Sequence, residues 1–200
     1  MWYYIKQAFL PFVYLIFMAM TAFGILCIDA DVDWLKYVLL ALNLGLYGVI
    51  ICALAYKDGQ QALKVRIAND IERREIIRTG EDRPLKLKEE YKVWKGFLSG
   101  AIASAPALIL TIIHAILYFT AGPVYNGAGA IASFVYMMFS GFIKISSELQ
   151  QWHYYFNLIA IPFLTAMTGI PYILGAKKIQ LQQDRIKAKQ RQIYGDDYQG

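Results

Sequence analysis

Four stretches of this chain run without a charged residue for long enough to enter a hydrocarbon core, and the segments between them are polar. The uncharged runs are residues 7–28, 37–56, 96–143 and 156–176. A run of roughly 18 or more apolar residues reads as a membrane helix, and the third run is too long for a single pass. Its turn-rich break, from Gly122-Pro123 to Gly127-Ala128-Gly129, divides it. The remainder, residues 131–145, would measure about 22 Å as a helix, short of a core of about 30 Å. A crossing there would make five spans and carry a strongly basic C-terminal segment to the face opposite the basic central loop. The pattern therefore predicts an all-α integral membrane protein. Its core is a four-span helical bundle, with a re-entrant or interfacial outer helix over 131–145 and amphipathic helices on the cytoplasmic side.

Punctuation along the chain sets the organisation. Residues 1–56 read as a first transmembrane hairpin, starting at the aromatic belt Trp2-Tyr3-Tyr4 with Pro11 tolerated in the first turn of its first helix. The hairpin turns at Asp29-Ala30-Asp31-Val32-Asp33, where Asp33 can cap the second helix. A break at Lys57-Asp58-Gly59 opens a basic helical loop, 57–96. Within it, 60–78 is helical, with Leu63, Ile67, Ile71 and Ile77 in an apolar stripe. Asp70 and Arg74 stand at surface-pair spacing. Thr79-Gly80 ends that helix, Gly80 being free to take the left-handed conformation of a stop. Residues 97–176 form a second transmembrane pair with an outer-face segment, 120–155, and Pro162 and Pro171 predict kinks in its last span. Residues 177–200 form a basic helical tail. Small residues in 100–105, and Ala41, Gly45 and Gly48, offer surfaces for close helix packing.

Charge gives the bundle a direction. Eleven of the twenty Lys and Arg residues fall between Lys57 and Lys95 (57, 64, 66, 73, 74, 78, 83, 86, 88, 92 and 95). Cytoplasmic loops are enriched in such residues, so loop, tail and both termini are expected in the cytoplasm of a multi-pass cell-membrane protein. The net charge of +5 and pI near 9.1 could suggest nucleic acid. Because the basic residues flank membrane segments, anionic lipid headgroups are the simpler partner, at about 1 kcal/mol per well-placed residue. Lys64, Arg66, Arg73, Arg74 and Arg78 make the candidate surface for lipid, or for another membrane or cytoplasmic protein.

Reactive chemistry is sparse. Cys27 and Cys52 belong to opposite ends of antiparallel spans, too far apart for a disulfide, and both read as small buried apolar residues. The Asp-x-Asp-x-Asp of the first turn has Trp34 and Leu40 where a calcium loop needs Gly and Glu. No cluster has metal-ligand spacing, no Gly-rich loop suits a phosphate, and no nucleophile elbow is present. The sequence thus predicts neither an enzyme nor a cofactor. The uncharged runs contain no Asp, Glu, Lys or Arg, which argues against a proton-coupled pump.

Polar residues within the runs remain. Counted from the outer ends at 1.5 Å per residue, Thr21, Asn43 and His114 each lie roughly 8–10 Å below the outer interface, and Thr111 shares the face of His114. Such groups should point inward and hydrogen-bond, either as glue between helices or as the floor of a solute pocket roofed by 122–145. Two functions follow as expectations. One is a non-enzymatic accessory or scaffold subunit of a membrane assembly. The other is a small oligomeric transporter or channel with its pocket in the outer half of the bundle.

Overall fold

The computed structural model describes residues 2–28, 33–80, 91–121, 127–145 and 153–194. Its helices are α1 (Trp2–Leu26), α2 (Asp33–Thr79), α3 (Trp94–Ala121), α4 (Gly127–Val135), α5 (Met137–Lys144), α6 (His153–Phe156) and α7 (Ala160–Tyr194), with a 3₁₀ turn at Asn157–Ile159. There is no strand among the described residues. Four helices, α1, α2, α3 and α7, are long and apolar enough to cross a membrane.

Each long helix packs against two others. α1 lies against α2 and α3, and α7 lies against the same two, which closes a ring in the order α1, α2, α7, α3. Outward faces carry exposed Phe17, Leu46, Val49, Ile116 and Phe119, an apolar belt of the kind lipid covers. α1 and α3 run one way and α2 and α7 the other. Consequently α2 and α7 are parallel neighbours: Gly48 meets Phe163, and Cys52 meets Met167, a residue 115 positions on. The end of the ring where α3 begins is called here the basic end, and the opposite one the distal end.

α2 is a single helix of 47 residues, about 70 Å long. The break expected at Lys57-Asp58-Gly59 is not there. Gly59 is needed for approach instead of for a turn: a Cβ on it would collide with the Tyr172 carbonyl, and one on Gly175 would collide with the Tyr56 carbonyl. Each glycine lies three residues after the partner of the other, so the two backbones cross in near contact, as small residues allow between membrane helices. Gly100 does the same against Leu164 and Thr168, and Gly169 makes room for the Phe97 ring. The small residues expected on α2 do not. Ala41 is exposed, nothing lies within 4 Å of a Cβ on Gly45, and Gly48 makes an ordinary contact.

Past the crossing, α2 and α7 continue side by side as an arm. Its buried positions on α2 are Ala62 and Asn69, whereas Ile71 and Ile77 of the expected stripe are 64% and 82% exposed. The seam follows the direction of α7, which local periodicity does not encode. Asp70 pairs with Arg73 at 3.0 Å, three residues on, instead of with Arg74. Gly80 does take the left-handed conformation, at φ 70°, and its N–H closes the helix on the Ile76 carbonyl. Two prolines also sit differently from expectation. α1 begins at Trp2, so Pro11 is interior to it. α7 runs unbroken through Pro171, and the unwinding lies in the 3₁₀ turn before Pro162.

The distal end is closed by chain. α4 stops at Tyr136, whose backbone (φ −104°, ψ 24°) leaves the helical region. The Ser140 hydroxyl then reaches the Ser133 carbonyl at 3.4 Å. Residues seven apart in a straight helix are about 10 Å apart, so the chain folds back at Tyr136. α5 enters between α1, α2 and α6, and the run Tyr136, Met137, Met138, Phe139, Ser140 and Gly141 is buried without interruption. Phe139 meets Phe163 edge-on at 5.3 Å, and Phe142 stacks on Tyr37 at 6.5 Å. At the tip, the fully buried Tyr136 donates its hydroxyl to the Ala103 carbonyl at 3.4 Å, well inside α3.

Candidate functional site

The predicted polar set divides in two. Thr21 and Asn43 meet on the α1–α2 seam: the Thr21 hydroxyl lies 2.8 Å from Asn43 Oδ1, and Asn43 Nδ2 donates to the Met18 carbonyl at 2.9 Å. The same hydroxyl also has the Met18 carbonyl at 2.8 Å, so its proton has two acceptors at hand. Thr111 and His114 are both buried, one turn apart on α3, which lies across the ring from α2. His114 packs its ring near Tyr118, centroids 6.4 Å apart. Residues 122–126 of the expected roof lie outside the described residues, while α5 packs against α1, α2 and α6.

Sequence reasoning overlooked further buried polar groups. Asn157, in the 3₁₀ turn, is 0% exposed, and both its side-chain atoms lack a hydrogen-bond partner. The hydroxyls of Thr111 and of Ser133 on α4 are in the same state. Their signal in the sequence was only a polar residue in an apolar run.

A second polar locus lies at the basic end, on the axis of the ring. A cavity of about 50 Å³ is walled by all four long helices: Leu10 and Pro11 from α1, Ile51, Leu54, Ala55 and Asp58 from α2, Gly96 and Ser99 from α3, and Thr168 and Tyr172 from α7. Close approach at Gly96 and Gly100 lets α7 reach the first turn of α3. As a result the Thr168 and Ser99 hydroxyls stand 2.8 and 2.9 Å from one acceptor, the Gly96 carbonyl. Asp58 was read as part of a loop; the continuity of α2 carries it into the ring. Lys95, also read as loop, is buried at 5% exposure.

The arm holds the predicted basic surface. Lys64, Arg66, Arg73, Arg74 and Arg78 are all exposed, spread over several faces of α2. A groove of about 490 Å³ runs between α2 and α7, with Leu63, Ile67, Ile173 and Ala176 on its walls and Arg66, Asp70, Lys177, Asp184 and Lys187 among them. Tyr91 borders it, stacked on Tyr172 with centroids 5.4 Å apart. Burial pushes the Tyr91 phenol above its ordinary range, with the Arg66 guanidinium pulling the other way. Lys178 lies over the Tyr56 ring at 5.9 Å, beside the glycine crossing. Cys52 is half-buried, with its thiol 3.4 Å from the Met167 sulfur. Cys27 is exposed at the end of α1, contrary to its reading as a buried residue.

No group of His, Cys, Asp and Glu suited to a metal ion occurs among the described residues. Comparison with known proteins adds no relative: no family model, curated protein or solved structure matches the chain.

Proposed function

We propose that this chain is a non-enzymatic accessory or scaffold subunit of a membrane assembly, multi-pass, with the basic end and both termini in the cytoplasm. The observation that carries the reading is the arm. α2 and α7 leave the ring as two unbroken parallel helices clamped at Gly59 and Gly175, so a surface outside the bilayer is held rigidly by the spans. Twenty residues of α2, from 60 to 79, extend past the crossing, about 30 Å. They present a groove with apolar walls, exposed Ile71 and Ile77, and five exposed cations. A chain needing only to anchor itself has no use for such a projection. Lys and Arg at its root suit anionic headgroups, and its tip suits a protein.

Crosslinking in native membranes through single cysteines on the arm, in a background without Cys27 and Cys52, tests this. The expected result is a discrete adduct from Ile71→Cys and Ile186→Cys, and none from Val49→Cys on the apolar belt. Recovery of the chain alone from mild detergent, with no adduct from either arm position, overturns it. Sidedness is tested separately: Ile77→Cys should resist an impermeant thiol reagent in intact cells.

The transporter or channel reading draws on a different observation, the folded-back α4–α5 pair, which is re-entrant in a membrane frame and meets α3 well inside the bilayer. Helices broken at that depth recur at substrate sites. Against it stands the unbroken burial of 136–141, which packs side chains into the distal end of the ring. Liposomes containing the purified protein should be impermeable to ions and small metabolites, and solute passage would restore this reading.

A further inference from the structure

The groove on the arm runs along one face of each of its two helices. On α7 its wall residues, from 173 to 187, recur in steps of three and one, and on α2 those from 63 to 70 do the same. That is the spacing of a single helix face, so the groove follows both axes, for about 21 Å along α7. Leu63, Ile67, Ile173 and Ala176 make its walls apolar. Ile71 is four residues on from Ile67 and Ile77 seven on from Asp70, so α2 carries that apolar side toward the tip, with side chains 64% and 82% exposed. Two parallel helices that offer one face each to a common furrow leave a place for a third helix packed on both. An extended peptide would need the free backbone of a sheet edge, and there is no strand among the described residues.

Charge selects the occupant. Asp70 is paired with Arg73 at 3.0 Å, which leaves Asp184 to face Arg66, Lys177 and Lys187 among the described wall residues. Over the whole arm, 60–79 and 177–194, eleven Lys and Arg stand against four Asp and Glu. Such a surface repels a second copy of itself. Lipid headgroups reach only its root. The surface potential of a bilayer decays within about 8–10 Å, whereas Lys187 lies about 18 Å beyond Gly175 along α7. Aliphatic walls with a carboxylate among them do not suit a phosphate backbone either. What matches apolar walls and an excess of cations is a helix with one apolar and one acidic face.

We propose that the groove receives an acidic amphipathic helix of a partner protein, its apolar face on Leu63, Ile67 and Ile173 and its carboxylates toward Arg66, Lys177 and Lys187. The inference rests on the scaffold reading and names the chemistry of the partner.

The experiment is crosslinking in native membranes from Ile67→Cys, inside the groove, in the chain without Cys27 and Cys52, with the linked peptide identified by mass spectrometry. The expected peptide is net acidic, with apolar residues at helical spacing. Lys187→Glu should cut the yield of that adduct roughly fivefold, as a like charge replaces an opposite one. Lys189→Glu, the same change of charge on the opposite side of α7, should leave the yield as it was. A neutral or basic peptide, a peptide of this chain itself, or equal yields from the two charge variants overturns the proposal. An adduct from Ile71→Cys or Ile186→Cys without one from Ile67→Cys also overturns it and leaves the scaffold reading standing, whereas no adduct from any of the three positions removes both.

Discussion

The two ends of the ring are held by opposite means. At the distal end an extra piece of chain, Tyr136 and α5, fills the ring with Tyr136, Met138 and Phe139, and stability there comes from packed side chains. At the basic end no helix among the described residues fills the axis. There the backbones themselves approach, through Gly59, Gly175 and Gly100, and a small cavity is left between the helices. Close backbone approach gives rigidity without bulk and tolerates no added atom. A plug tolerates change in proportion to the volume lost. The difference is therefore one of how failure begins: abruptly at a crossing, gradually in a core.

Substitutions should separate the two. The largest effect is expected for Gly59→Ala, whose Cβ would overlap the Tyr172 carbonyl with no flexible side chain to yield. A loss of about 3 kcal/mol, read as a lower unfolding midpoint or absent folded yield, should contrast with Gly45→Ala. That position is open, so alanine there should be neutral or stabilise by up to about 1 kcal/mol. Equal midpoints for the two variants would mean that the crossing is loose.

Next comes Met138→Ala in the plug, fully buried. It should cost about 2 kcal/mol, near the low end for core truncations, because a side chain in lipid is already out of water. The same measurement on Met138→Leu should show almost no loss, whereas a large one would place the plug under the strict geometry of the crossing. Asn43→Leu breaks one bond to Thr21 and one to Met18. At about 0.6 kcal/mol per interhelical bond, the midpoint should fall by the equivalent of about 1 kcal/mol.

The smallest change belongs to the arm. A double-mutant cycle on Asp70 and Arg73, each nearly half exposed, should give a coupling below about 0.5 kcal/mol. A larger value would mean that the arm is packed like the ring.

Legibility in the sequence followed the range of the interactions. Four long apolar helices were readable because hydrophobic length is local. The meeting of Thr21 and Asn43 was readable because helical rise converts residue count into depth. Gly80 was readable as a stop, since its φ depends on the turn alone. Gly59 was not, because a glycine that breaks a helix and one that admits a neighbour look alike until the neighbour is known. Misplacing Gly59 also misplaced Asp58, which passed for a loop residue while lining the axial cavity. Tyr136 gave no warning at all. It is neither glycine nor proline, and what bends the chain there is the space it enters.

The continuity of α2 has a mechanical side. Gly59 divides the helix into 26 residues toward the ring, 33 to 58, and 20 toward the arm, 60 to 79. At 1.5 Å per residue these are about 39 and 30 Å. With no joint between them, the crossing with α7 is the fulcrum of a lever whose two limbs differ by about a third. Tilting the arm so that its tip moves 3 Å, about the size of a water molecule, would swing the far end of α2 by about 4 Å in the opposite sense. Leu40, where α2 meets Gly141 of the plug, lies about 28 Å from that fulcrum, so a push on the tip of the arm is delivered to the seal on the other side of the ring at nearly its full amplitude and in the opposite sense.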